Sequence, residues 1–275
     1  MKNLLISALA LSSLVVILFS CEKNKSIEFT NVEYKKTIHS PLVTDTNSFC
    51  TVEIHFLFPE KFSDKEALTK IQQTLLVYSF DSTSSNYTAT QAIDSFAVST
   101  FNNFNDLIAT AFKKNENRTN PVINRHSESY IMNTDILLNE KSILSYQLSR
   151  YTDSGGAHGL ENTQFLVFDL ETGNKLTQRD LFEEGYEPRL AELLKQQIMV
   201  DKGFESEEQM LFNGYFSLEN IKANENFSLE NEGITYIFNP YEIASYATGA
   251  TVVSIPYEKI KPLLKKDSPI LRLMK

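Results

Sequence analysis

Cysteine is nearly absent. Only Cys21 and Cys50 occur in 275 residues, so at most one disulfide could form, and the disulfide-dense scaffolds of small exported domains are excluded. Histidine is scarce as well: His39, His55, His126 and His158 lie scattered, with no HExxH pair and no paired cysteines, which removes the usual zinc frameworks. Positive charge is in deficit. Lys and Arg number 26 against 35 Asp and Glu, for a formal net charge of −9. Nothing resembles the basic stripe that grips phosphates, so nucleic acid is not an expected partner. An acidic surface instead favours cationic partners, drawn in over about a Debye length. Long apolar runs are missing too: Leu4 to Phe19 spans about sixteen residues, where a membrane-crossing helix needs about twenty.

That run has another use. Lys2, the apolar stretch and Ser20 just before Cys21 have the layout of a secretory signal over 1–20. Leu18-Phe19-Ser20-Cys21 resembles a bacterial lipobox, with an aliphatic residue three positions before the cysteine and a small one next to it. The resemblance implies cleavage ahead of Cys21, lipidation of its thiol and amine, a tether over 21–26, and a place in the bacterial cell envelope, on the outer membrane or facing the periplasm. Plain secretion, with Cys21 removed or left unmodified, is the alternative. Several acyl chains would hold the protein at a membrane far more firmly than one. With Cys21 acylated, Cys50 in CTVEIHF has no partner and reads as a buried, inert thiol, so the fold must stand on packing. The 255 residues after position 20 carry a charge near −10, because Lys2 is lost, and they suffice for one or two cores.

Periodicity orders the rest. IEFTNVEYKKTI (27–38) and CTVEIHFLFPE (50–60) read as strands, the second with Val52, Ile54 and Phe56 on one face. Ser63 to Phe80 places Ala67, Leu68, Ile71, Leu75, Leu76 and Val77 at helical spacing, and Ser63 with Glu66 suggests a capping box. A second helix is expected from about Gln91 to Lys113, its stripe formed by Ile93, Phe96, Ala97, Phe101, Phe104, Leu107, Ile108 and Phe112. KKNENRTNPVINRHS (113–127), broken by Pro121, marks a boundary. A meander follows, hinged at Asn139 to Lys141, with Leu144, Tyr146 and Leu148 on one face, then NTQFLVFDL and the ETGNK turn. TQRD (177–180) caps a helical region whose main helix starts near Pro188 and buries Leu190, Leu193, Leu194, Ile198 and Met199. Short strands are expected in GYFSLENI, ENFSLENE, GITYIFNP and GATVVSIPY, with Tyr215, Tyr236 and Tyr257 in the core or on a sheet face, before a helical EKIKPLLKK. Strands and helices come in groups, so the class is α+β: a small N-terminal α/β domain (27–125), an antiparallel-sheet domain with packed helices (126–265), and a polar tail (266–275).

Three segments carry a family resemblance: YTDSGGAHG, FDLETGNKLTQRDLF and GITYIFNPYEIASYATGATVVSIPYEKIKPLL. In this order they resemble DUF3298, the family found at the C-terminus of the lysozyme-sensing anti-sigma factor RsiV. The preceding 27–125 resembles its usual smaller partner, a DUF4163-like domain. The resemblance implies a non-enzymatic binding module of the envelope, of the free lipoprotein kind, with lysozyme or another muramidase as its partner. Peptidoglycan glycan is the alternative partner, and a basic lysozyme would suit the negative charge.

Two segments collect the candidate binding residues. YTDSGGAHGLEN (151–162) offers Tyr151, Asp153, His158 and Glu161 in a connection longer than a tight hairpin needs. A metal-dependent hydrolase centred on His158 is a further alternative, but His-Gly-Leu-Glu lies in a loop and not on one helix face, and Ser154 lacks the G-x-S-x-G setting of a nucleophile. No catalytic residue, metal or cofactor is therefore expected. Gly155 and Gly156 are read as structural, permitting positive φ and close backbone approach, as is Gly249. NPYEIASYATG (239–249) adds Pro240, Tyr241, Glu242 and Tyr246. Its tyrosines either form a recognition face or pack under the sheet and hydrogen-bond the loop at 151–162.

Overall fold

The computed structural model describes residues 26–40, 48–115 and 126–274. The expected signal, Cys21 and most of the tether lie outside the described residues, as does most of the polar break at 113–127. Among the described residues no helix is long and apolar enough to cross a membrane.

Strands β1 (Glu28–His39) and β2 (Phe49–Lys61) pair antiparallel along nearly their whole length. The two-residue period of β2 buries Cys50, Val52, Ile54 and Phe56 on one face. Burial, with Glu128 nearby, pushes the Cys50 thiol up to about 12, which suits a structural thiol. Helix α1 (Lys65–Ser79) is capped by Asp64, whose carboxylate accepts from the Glu66 and Ala67 N–H groups at 3.0 Å each. Asp64 thus takes the role expected of Ser63, because its charge also favours the positive end of the helix. Helix α2 (Ala89–Asn115) begins at a reciprocal pair, the Gln91 side chain accepting from Thr88 N–H at 2.9 Å and Thr88 Oγ1 accepting from Gln91 N–H at 3.2 Å. Its stripe is buried at Ile93, Ala97, Phe101, Phe104 and Ile108, but Leu107 is 46% exposed.

After the two helices, β3 (Ser127–Glu140) joins β2 in parallel, and β4 (Ile143–Asp153) and β5 (Leu160–Asp169) follow antiparallel, giving one sheet in the order β1-β2-β3-β4-β5. The β3–β4 turn is Lys141-Ser142, one residue beyond the expected hinge, with both residues left-handed as a type I′ hairpin requires. The boundary at 125/126 therefore marks a change of covering layer within a continuous sheet. Leu144, Tyr146, Leu148, Leu166 and Phe168 face the core under α1 and α2, while Ile143 and Val167 face a second core.

That second core is covered by α3 (Gln178–Leu181), α4 (Glu187–Lys202), α5 (Glu207–Phe212) and a small antiparallel sheet of β6 (Phe227–Leu229), β7 (Gly233–Phe238) and β8 (Thr251–Pro256), closed by α6 (Tyr257–Ile260). Pro188 stands in the first turn of α4, and Leu190, Leu193, Leu194 and Ile198 are buried, as the periodicity predicts. Two expectations fail here. GYFSLENI is not a strand: Tyr215 makes one isolated bridge to Ala244, and Leu218–Asn220 form a 3-10 turn in which the Ser217 hydroxyl accepts from Glu219 N–H at 3.3 Å, a local bond that competes with strand pairing. Residues 266–275 are not a polar tail either. Ile270 and Leu273 enter the second core, and Arg272 pairs with Asp169 at 3.0 Å. A central mixed sheet covered on both faces, with helices and strands in separate groups, confirms the α+β class.

Candidate functional site

The β4–β5 connection is shorter than the sequence suggests, because both strands extend into it. Tyr151 sits opposite Glu161 in register, and only Ser154 to Gly159 remain outside the ladder. Asp153 ends β4 and accepts from Gly155 N–H at 2.9 Å, the self-closing turn that a short carboxylate makes with its own backbone. Gly155 is left-handed at φ 75°, as expected. Gly156 is a correction: its φ is not positive, and an added Cβ would meet open space. At Gly159 an added Cβ would press on the ring of Tyr151, which is exposed and free to swing aside.

His158 and Tyr246 join the two predicted segments. Their rings stack with centroids 3.7 Å apart and planes 16° apart, and Tyr246 stacks in turn on Tyr241 at 5.7 Å and 28°. The Gly159 carbonyl accepts from the Tyr246 hydroxyl at 2.8 Å and lies 3.0 Å from His158 Nδ1, a contact that needs the proton on that nitrogen. The loop-bonding expected of the tyrosines is thus made by Tyr246. Tyr241 does the opposite: its left-handed backbone, φ 72°, is strained for a bulky residue and turns a ring that is 54% exposed toward solvent. Glu242 is exposed but held in place, accepting from Asn239 Nδ2 and Asn224 Nδ2 at 3.3 Å each. Gly249, left-handed at φ 75°, closes the 3-10 turn Tyr246–Thr248.

Between these segments lies a cleft of about 370 Å³, lined by Glu161, Pro240, Tyr246 and Gly249 together with Thr163, Ile237, Asn239 and Ala250. Four predicted residues therefore share one concavity. Asp153 and Glu242 are engaged elsewhere, and Tyr151 stands on the flank over Gly159.

Sequence reasoning missed what holds the cleft together. Asn239 is buried, accepts from Thr163 N–H at 2.7 Å and donates to the Thr163 carbonyl at 3.0 Å; Asn226 likewise accepts from Phe165 N–H at 2.7 Å and donates to the Thr163 carbonyl at 2.8 Å. Two side-chain amides thus imitate a sixth strand along the β5 edge. Also missed were Phe212, 91% exposed, and Phe216, 50% exposed. Phe216 sits beside the same segment, its N–H donating to the Ile243 carbonyl at 2.9 Å. Apolar alternation marked neither, since exposed aromatics look like core in a one-dimensional pattern.

Among the described residues no three His, Cys, Asp or Glu side chains converge to hold a metal ion. The arrangement offers stacked rings, one wall carboxylate and a polar cleft, which suits binding.

Residues 179–258 match the DUF3298 family model, described as a protein of unknown function. The DUF3298 match runs from α3 to α6 and so includes Tyr241, Glu242, Tyr246 and Gly249, while Tyr151, Asp153, His158 and Glu161 precede it. Over nearly its full length the chain is similar to a member of the DUF3298 family from Bacteroides fragilis, whose crystal structure aligns at 27% identity and TM-score 0.83, covering 92% of this chain and 99% of that one. It shares a fold with a DUF3298 family protein from Pseudomonas aeruginosa, at 17% identity and TM-score 0.56, over 90% of this chain and 98% of the other. No curated protein matches.

Proposed function

We propose that this chain is an exported, lipid-anchored binding module of the bacterial cell envelope, without chemistry of its own, and that it captures a basic protein partner of the lysozyme or muramidase class. The observation that carries the reading is the ring ladder His158–Tyr246–Tyr241, exposed at both ends, beside a cleft walled by Glu161, with Phe216 flanking the same segment. Rigid aromatics with few rotamers give much contact area at little entropy cost, which is how recognition surfaces are anchored. The anchor at Cys21 and the likeness of 27–125 to a DUF4163-like unit belong to the same proposal and rest on the sequence.

A net negative chain meets a basic lysozyme with favourable long-range attraction. The test is capture and inhibition of purified lysozymes by the soluble chain, with Tyr241→Ala beside it. Saturable binding weakened by high salt, and about thirtyfold weaker in the variant, is expected for loss of an aromatic anchor worth about 2 kcal/mol. No binding at micromolar concentration overturns the lysozyme assignment. A second reading, a peptidoglycan glycan, draws on the solvent-facing Tyr241 ring, on which a sugar could stack. It expects retention on peptidoglycan that salt leaves unchanged.

A further inference from the structure

A second concavity lies on the other side of the sheet, away from the ladder. It is a cavity of about 160 Å³ between the sheet and the end of α1, and its lining is mostly apolar: Ile54, Phe80, Phe96, Tyr130 and Met132. Ile131, Tyr151 and Thr152 complete the wall, and two polar groups lie at its α1 end. Arg150, opposite Met132 in the β3–β4 ladder, brings its guanidinium up against the last turn of α1 and donates to the Tyr78 carbonyl. The last turn of α1 has no basic residue of its own, so Arg150 supplies a cation at the negative helix end.

That capping contact uses little of the group. A guanidinium carries five N–H donors, yet among the described residues its one hydrogen bond is to Tyr78, and no carboxylate lies within ion-pair distance. Glu128, farther along β3, is committed to His126 at 2.8 Å. Burial works against the charge and lowers the Arg150 pKa. The second polar group is Ser79, the last residue of α1. It is 4% exposed, lines the same cavity, and its hydroxyl has no hydrogen-bond partner among the described residues. The Ser79 hydroxyl is closed off from the cavity, whereas the half-buried Arg150, with N–H donors to spare, is the one charged group in the lining.

We infer that this cavity is a binding site for a small organic carboxylate with an apolar body, the carboxylate held by Arg150 and the body enclosed by Ile54, Phe80, Phe96 and Met132. The planar fork of arginine matches a carboxylate in bidentate geometry. The volume sets the size: a dry cavity of about 150 Å³ accepts benzene, so a ring or a short branched chain fits and a long acyl chain does not. An inorganic anion would leave most of its oxygens facing carbon. Of the candidate partner-binding residues only Tyr151 lines this cavity.

The experiment is calorimetric titration of the purified protein with benzoate, with benzyl alcohol as the uncharged isostere and inorganic phosphate as the anion lacking an apolar body. Benzoate is expected to bind one to one with a dissociation constant at or below about 1 mM, as a well-housed ligand of its size allows, and both controls at least tenfold more weakly. Arg150→Lys keeps a cation but loses the fork, and is expected to weaken benzoate about tenfold. The comparison of benzoate with benzyl alcohol on the unaltered protein keeps the test valid if Arg150→Lys folds poorly. No saturable benzoate binding to the unaltered protein, or equal binding of benzyl alcohol or phosphate, overturns the inference and leaves Arg150 as a helix cap. Unchanged benzoate affinity in Arg150→Lys does the same.

Discussion

Asn239 is the residue on which the cleft depends most, and no local pattern marked it. Its amide is buried and satisfies both Thr163 N–H and the Thr163 carbonyl. Asn226 shares the carbonyl but not the N–H, so the N–H would be left without a partner if Asn239 were truncated. Asn239→Ala is expected to destabilise the fold by about 1–3 kcal/mol, the cost of an orphaned buried donor, with the denaturant midpoint falling at unchanged slope. A change below about 0.5 kcal/mol would show that water replaces the amide. His158 was legible as one of four histidines, set between glycines, and Tyr246 by its place in a segment bounded by Pro240 and Gly249. Their stacking was not, because the contact joins residues that are far apart in sequence.

At the scale of elements, the two-residue and 3.6-residue periods placed β2, β4, β5, α1, α2 and α4 correctly, since each buries one face and burial is what periodicity reports. Caps were less secure: Asp64 displaced Ser63 because both are adjacent cap-formers and the carboxylate has the charge advantage. The ETGNK turn shows how an element can be right locally and still incomplete. Gly173 has the left-handed backbone the turn chemistry predicts, φ 74°, and a Cβ there would also lie 2.6 Å from the Cα of Ala67 in α1. Gly173→Ala is therefore expected to cost about 2–5 kcal/mol, a backbone penalty combined with overpacking against a main chain that cannot swing aside. Gly156→Ala, with ordinary φ and open space, should leave stability unchanged or raise it by up to about 1 kcal/mol. Thermal melts of the two variants check both, and a similar loss in each would remove the proposed contact with α1.

At the scale of the whole molecule, one five-stranded sheet serves two cores, so the predicted division at 125/126 does not separate independently packed halves. The last residues belong to this unit as well, with Ile270 fully buried in the second core and Arg272 tied to Asp169 on β5. Ile270→Ala is expected to lower stability by about 2–5 kcal/mol. Fluorescence from the tyrosines and far-UV circular dichroism should still report a single coincident transition, because the sheet is common to both layers; two separated transitions would contradict the shared sheet. The sequence by itself determined the α+β class, the acidic surface, the main strands and helices, and the two segments that meet at the cleft, since all of these follow from composition, period and turn chemistry. Only the tertiary structure decided that β2 pairs in parallel with β3, that the C-terminal residues complete a core, that Asn226 and Asn239 stand in for a strand, and that Arg150 and Ser79 share a cavity. Periodicity states that a face is buried but not what covers it. A side-chain bond such as that between Thr163 and Asn239, 76 positions apart, exists only once the chain has folded back on itself.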